Sequence, residues 1–227
     1  MCRARLQAST RRGSRAWRCE ARQACRTRAA GALRPSKPER VYFATGNPNK
    51  LAEVAAILSE GPALPCELHA VELELPELQG EPEEICREKC RIAARQLRAP
   101  VLVEDTSLCC GALNGMPGPY IKWFIERLEP EGFLRMLEGF DDKSASFQCV
   151  FAFAPGPDAE PTTFVGRLQG RLVAPRGPRG SKWGDLCRIF ELEGYGRTYA
   201  EMDEATLRAI SHRSRALALV REHLLAL

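Results

Sequence analysis

Three short stretches of this chain gather residue types suited to holding and cleaving a polyphosphate. The first is Thr45-Gly46-Asn47-Pro48-Asn49-Lys50, which joins the β-prone run 40–45 to a segment whose Leu51, Val54, Ala55 and Leu58 fall on one helical face. A strand feeding a helix aims free N–H groups and the positive end of the helix dipole at one point, and that point favours anions. Gly46 permits close backbone approach, Thr45 and Asn47 offer polar side chains, and Lys50 offers a cation. The pattern GxxxxGK[ST] is absent, so the turn reads either as a phosphate seat or as a plain capped connector. The second stretch is Leu102-Val103-Glu104-Asp105-Thr106-Ser107, where two acids end a hydrophobic strand at the place open α/β sheets put active-site groups. A carboxylate there can hold Mg²⁺, a hard ion that takes oxygen ligands and keeps several waters; the competing reading is a solvated strand-end acid. The third stretch, 74–84, is rich in acids, among them Glu77, and could supply another ligand or simply be an acidic loop. His212 and Arg213 open the final helical segment.

The elements that must position these groups alternate in the first half of the chain. Strand-like runs at 40–45, 66–75 and 101–105 flank helical patterns at 47–60 and 81–97. Asn47 suits a helix N-cap and Pro48 the first helical position. The 81–97 segment has acids in its first turn and arginines toward its end, as the helix dipole prefers, and Pro100 stops it. After a loop at 111–119, helical runs at 120–128 and 133–139 are separated by Glu129-Pro130-Glu131-Gly132. Two strands at 144–154 and 162–173, a loop at 175–184 and a closing helix at 211–227 complete the chain. Alternation followed by paired strands predicts an α/β domain with a mixed sheet.

Charge divides the chain into two parts. Of 33 lysines and arginines, 12 lie in residues 1–40, against 2 of the 29 acids; the remaining 187 residues hold 21 basic and 27 acidic residues. The overall +4 therefore belongs to the N-terminal stretch, and an acidic body argues against nucleic-acid binding by a broad basic face. Residues 1–38 read as a disordered Arg-rich extension, with a mitochondrial targeting segment or a nucleic-acid or membrane arm as alternatives. The fold is expected over 39–227. Ten cysteines without a CxxC pair read as reduced thiols of an intracellular protein. No stretch of eighteen apolar residues suggests a membrane span.

Taken in order, TGNPNK (45–50), LPELQGEPEE (75–84), LVEDTSLCCGALNGMPGPYIKWF (102–124), TYAEM (198–202) and SHRSRAL (211–217) resemble the inosine triphosphate pyrophosphatase family, closely its animal members. The likeness runs from about Val41 to the C-terminus. It implies a long mixed sheet flanked by helices, with a nucleotide cleft between two lobes. It implies Mg²⁺-dependent hydrolysis (Mn²⁺ as a substitute) of ITP, dITP and XTP to the monophosphate and pyrophosphate, by a cytoplasmic homodimer. By the same resemblance, Thr45, Gly46, Asn47 and Lys50 contact the triphosphate, and Glu77 and Asp105 hold the metal. Asp105 and Lys50 are the catalytic residues. Thr106 lies beside the substrate, Lys89 and Lys122 neutralise phosphate charge, and His212 and Arg213 read the purine.

Two segments depart from the family. Its FGWDP loop, in which an aromatic stacks on the base, is represented here by SKWGDLCRIF (181–190), where either alignment, on Trp183 or on Asp185, keeps one residue of Gly-Trp-Asp. Leu207 and Arg208 stand where the family has Lys-Asn. Leu207 cannot donate to a keto oxygen, and Arg208 is the neighbouring cation that could take its place. Both changes fall on the base side, which raises the alternative of a nucleotide-binding or dimerising relative with impaired selectivity or turnover.

Overall fold

The computed structural model describes residues 38–179 and 182–227. The reading of residues 1–38 as an extension lies, but for Pro38, outside the described residues. Strand β1 (Arg40–Ala44) runs into helix α1 (Pro48–Ser59) and returns as β2 (Glu67–Val71), shorter than the predicted 66–75. Helix α2 (Pro82–Leu97) then crosses back to β3 (Val101–Cys110). A 3₁₀ turn (Gly111–Leu113) and the two-residue β4 (Pro117–Gly118) lead to α3 (Ile121–Met136), which is followed by the long strands β5 (Ser144–Ala154) and β6 (Thr162–Leu172). Helix α4 (Lys182–Arg188), β7 (Phe190–Leu192), a 3₁₀ turn (Tyr199–Glu201), α5 (Glu204–Ile210) and α6 (His212–Ala226) end the chain.

These strands form one sheet in the order β2-β1-β3-β5-β6-β7, with β4 pairing β3. The β1–β2 and β1–β3 pairs are parallel; β3–β5, β5–β6 and β6–β7 are antiparallel. The protein is thus α/β, with a mixed sheet flanked by helices, as its strand and helix alternation predicts.

Burial follows from the residue patterns. On one face of the sheet, Val54 and Leu58 of α1 and Leu217 and Val220 of α6 pack with Phe43, Phe151 and Phe153. On the other, α2 presents small residues, Cys86, Cys90, Ala93 and Ala94, to Val101, Val103, Val150 and Ala152. Short side chains let this helix lie close, and the Cys86 and Cys90 thiols donate to the Val150 and Ala152 carbonyls at 3.2 and 3.3 Å. Farther along, the long strands enter a second core, where Leu108, Phe147 and Leu168 meet Ile121, Ile125 and Phe133 of α3, Leu186 of α4 and Phe190 of β7. One sheet therefore serves two lobes. Within α3, Glu129 leaves the helical region (φ 57°, ψ 168°), where the ring of Pro130 disfavours a helical residue before it.

Two further expectations about element bounds need correction. β3 continues five residues beyond the predicted 101–105, because Thr106–Cys110 keep pairing with β5. The predicted loop at 175–184 ends early, since Lys182–Arg188 form α4, with Leu186 buried on its inner side.

Candidate functional site

The site forms where β1 stops. β1 pairs with β3 at only two positions, Tyr42 with Val101 and Phe43 with Leu102. The chain then leaves the sheet in the turn containing Thr45, Gly46 and Asn47. The Asn47 N–H donates to Thr45 Oγ1 at 3.1 Å, and Asn47 Oδ1 accepts from the Lys50 N–H at 3.3 Å. Asn47 is thus the N-cap the sequence predicts, and these two polar side chains shape the turn. A Cβ added to Gly46 would lie 3.1 Å from Glu72 Oε1, so the glycine admits a close neighbour. Past Leu102 one flank of β3 is free of β1, and Glu104, Asp105 and Thr106 lie on that stretch. The two acids are mid-strand and not at a strand end; their access comes from the end of β1.

Side chains alternate across a strand, so Glu104 and Asp105 face opposite sides of the sheet. The Glu104 side chain is 1% exposed, with Oε2 lying 2.5 Å from Lys50 Nζ. Its Oε1 lies 3.5 Å from Arg213 Nη2 and accepts from the Thr106 hydroxyl and the Cys149 thiol. Arg213 also pairs with Glu53 of α1 and donates to Thr106 Oγ1 at 3.4 Å. Burial pushes the Glu104 carboxyl up, but Lys50 and Arg213 outweigh it and hold the group well below the usual carboxylate range. The same pairing raises the Lys50 ammonium against the effect of its burial.

On the opposite side, Lys89 of α2 bridges two carboxylates. Its Nζ lies 3.1 Å from Glu77 Oε2 and 3.3 Å from Asp105 Oδ1. Lys122 reaches Glu77 Oε1 at 3.3 Å and lies over the Trp123 ring. Asp105 Oδ2 is buried without a hydrogen-bond partner. Burial raises the Asp105 carboxyl, against the pull of Lys89 and with the push of Glu104. Burial likewise raises Glu77, but hydrogen bonds and charge from Lys89 and Lys122 bring it below its ordinary value. Among the described residues no group of three or more His, Cys, Asp and Glu gathers as a self-contained metal cage.

His212 and Arg213 open α6 behind the N-cap Ser211, whose hydroxyl accepts from the Ser214 N–H at 3.0 Å. His212 is buried and stacks on Phe147, with ring centroids 5.1 Å apart. Burial, and secondarily Arg213, lower the imidazole to about 3, so it is neutral. Asp185 lies in the first turn of α4, 3.6 Å from Arg188. Trp183 belongs to α4, but its side chain lies outside the described residues, as do Gly180 and Ser181 entirely. Leu207 packs against the second core. Arg208 pairs with Glu204 at 2.6 Å and approaches Glu60, so surface acids hold the cation expected to replace the family's polar pair.

The structure therefore joins Lys50, Thr106 and Arg213 in one group and Glu77, Lys89, Asp105 and Lys122 in another. It also brings in Glu104 and Glu53. From sequence alone Glu104 is, with Asp105, a strand-end acid able to hold Mg²⁺, and Glu53 has no role. Strand alternation at 104–105, and the spacing of Glu53 three residues after Lys50 on one helix, are the signals that carry them.

Comparison with known proteins bears on the family and the fold. Residues 41–223 match the Ham1 family. A HAM1 protein from Coxiella burnetii superposes with a TM-score of 0.72 at 28% identity, covering 83% of this chain and 99% of that one. The Staphylococcus aureus Ham1 protein gives 0.66 at 25% identity, over 82% and 97%. A nucleoside-triphosphatase, described as a dITP/XTP pyrophosphatase, from Mycobacterium abscessus gives 0.63 at 27% identity, over 80% and 98%. With the match spanning both lobes and every residue of the two polar groups, the chain belongs to the Ham1 family.

Proposed function

We propose that the protein hydrolyses non-standard purine nucleoside triphosphates (ITP, dITP and XTP) between the α and β phosphates, releasing the monophosphate and pyrophosphate. The observation that carries this reading is the Lys89 bridge between Glu77 and Asp105, with Lys122 on the second oxygen of Glu77. Two carboxylates and two lysines beside a strand–helix turn suit a polyphosphate that arrives with a cation. The Mycobacterium abscessus relative, described as acting on dITP and XTP, supports the substrate class.

The residues fit a Mg²⁺ ion. Asp105 keeps a buried oxygen without a partner, Glu77 is open to solvent, and Mg²⁺ is commonly bound through one or two carboxylates plus substrate phosphates. Glu77 and Asp105 would hold it; when bound it supplies charge neutralisation at the phosphates. The chain's own groups do the rest. Lys50 and the N-terminus of α1 attract the phosphates, with Thr45, Gly46 and Asn47 shaping the turn. Lys89 and Lys122 offset negative charge, and Asp105 orients a water and accepts its proton, aided by a carboxyl raised through burial. Arg213 and neutral His212 face the base, with Thr106 beside the substrate. Donors set against a six-position oxygen would be left unpaired by an amino group, which is a strong basis for rejecting adenine. We extend the proposal to a cytoplasmic homodimer; α3 carries the exposed apolar side chains Trp123, Leu128 and Met136.

The reading of an impaired, merely nucleotide-binding relative rests on 181–190 and Leu207. The complete Glu77–Lys89–Asp105–Lys122 group favours turnover over it. Purified protein tested with ITP, XTP, dITP, GTP and ATP, with phosphate and pyrophosphate measured separately, decides the matter. Pyrophosphate release selective for ITP, dITP and XTP is expected; phosphate release alone rules out α–β cleavage.

A further inference from the structure

We propose that Glu104 is a positioning residue, whose buried carboxylate ties Lys50 of α1 to Arg213 of α6 so that the phosphate end and the base end of a nucleotide are gripped as one unit. This inference rests on the nucleotide reading above. Glu104 is half-buried as a residue, yet its side chain is 1% exposed, so the exposed part is backbone along the free flank of β3. A carboxylate withdrawn that far from water is stable only if its charge is paired and its lone pairs are filled. Lys50 at 2.5 Å and Arg213 at 3.5 Å supply the charge. The Thr106 hydroxyl and Cys149 thiol supply further donors.

The grouping is balanced. Glu53 pairs with the second arm of Arg213, so two cations face two carboxylates. Glu53 and Lys50 both belong to α1, which therefore holds Arg213 directly through Glu53 and indirectly through Glu104. Two helices that share one apolar core are thus also locked by charge. A shift of one cation toward a ligand changes what the shared carboxylate offers the other.

Glu104 is not a third metal ligand. It faces the side of the sheet opposite Asp105, with the Lys50 ammonium 2.5 Å from Oε2 and with Arg213, Thr106 and Cys149 at Oε1. That distinguishes it from Glu77 and Asp105, which share Lys89 on the other face.

Glu104→Gln, compared with wild type, tests the tether through four readouts: KM for ITP, the ITP-to-ATP preference, inhibition by tripolyphosphate, and the Mg²⁺ concentration giving half-maximal rate. The expected result is a rise in KM and a fall in base preference of about tenfold each, the loss expected for one charged hydrogen bond. Tripolyphosphate inhibition weakens too, although the variant touches neither end directly. The Mg²⁺ midpoint stays within about twofold of wild type, a difference worth under 0.5 kcal/mol. Combining it with Lys50→Met gives a loss smaller than the sum of the two. Should the glutamine variant fail to fold, Glu104→Asp, which keeps the charge but loses reach, replaces it with the same directions expected. Unchanged KM and preference with only a lower Tm overturns the proposal in favour of a purely structural role. A shifted Mg²⁺ midpoint overturns it in favour of a metal ligand. Wild type that neither turns over nor binds any of the nucleotides overturns the nucleotide reading and the tether with it.

Discussion

Glu104 and Asp105 are consecutive residues that serve different helices. Glu104 Oε2 lies 2.5 Å from Lys50 on α1, and Asp105 Oδ1 lies 3.3 Å from Lys89 on α2. The period of two in a β-strand sends the side chains to opposite faces, so one dipeptide anchors two polar groups across the thickness of the sheet. The pairings also split their protonation behaviour. Burial raises Asp105 net, while Lys50 and Arg213 hold Glu104 down against the same effect.

Asp105→Asn tests the proton-accepting role. It keeps size and shape but removes the charge that pairs with Lys89. Pyrophosphate release from ITP is expected to fall by about 10²–10⁴, the usual worth of a positioned general base. Far-UV circular dichroism should be unchanged. Activity within about threefold of wild type, far short of that general-base contribution, would remove Asp105 from the chemistry.

Lys89→Met removes the cation shared by Glu77 and Asp105. Lys89 and Asp105 have side chains only 14% and 15% exposed, so the lost pair is weakly screened. Stability in urea should fall by about 1–3 kcal/mol, since an acid is left buried without its partner. The Asp105 carboxyl should rise further, because its largest opposing influence has gone. Urea titration at pH 7 and pH 5 checks both, with the deficit relative to wild type smaller at pH 5 if Asp105 protonates there.

Acid should destabilise the protein through His212 and Glu104 together. His212 has a folded value of about 3 against 6.5 for the free side chain. The unfolded chain therefore binds the proton first as pH falls below 6.5, and stability drops through the interval from 6.5 to 3. The slope approaches about 1.4 kcal/mol per pH unit for one such group. The depressed Glu104 acts in the same direction below its ordinary value of 4.5. Replacing the imidazole with a neutral ring, His212→Phe, should flatten unfolding free energy between pH 6.5 and 5. An unaltered slope there would mean that His212 does not titrate differently on folding.

Much of this arrangement is legible in the sequence because it is local. Asn47 caps α1, acids open α2, Pro130 interrupts α3, and each follows from nearest-neighbour chemistry. The resemblance carried by ordered motifs names Lys50, Lys89, Asp105 and Arg213, which the structure gathers into two polar groups. What escaped depends on distant register. The continuation of β3 through Cys110 is fixed by ten paired positions on β5, which no window around Val101–Asp105 contains. The hub role of Glu104 needs Arg213, 109 residues away. Helix α4 escaped for a different reason: glycines and prolines across 175–184 carry a loop signal, and the burial of Leu186 in the second core overrides it.

Arg98 offers a stabilising change outside the site. It ends α2 in the left-handed region, φ 50° and ψ 40°, on the exposed surface. Glycine takes that conformation without the Cβ penalty and is the favoured residue at such helix ends. Arg98→Gly should raise stability by about 0.5–1 kcal/mol, less the greater entropy of glycine in the unfolded chain. Urea denaturation measures the change, and kinetics should not move, because Arg98 lies outside both polar groups.

Gly166→Ala should separate base reading from metal binding. A Cβ at Gly166 on β6 would lie 2.0 Å from the His212 carbonyl oxygen and 2.5 Å from the Ala216 N–H nitrogen. These are backbone atoms of α6, so the helix end must move outward as a body. The cost should be about 1–3 kcal/mol or more, the range for overpacking a tight interior. His212 and Arg213 ride on the displaced turn, while Glu77, Lys89 and Asp105 belong to other elements. The ITP-to-ATP preference should therefore drop about tenfold or more, with the Mg²⁺ midpoint little changed, if Arg213 acts on the base through a charged hydrogen bond. A variant that lost both to the same degree would show that α6 and the Lys89 group move together.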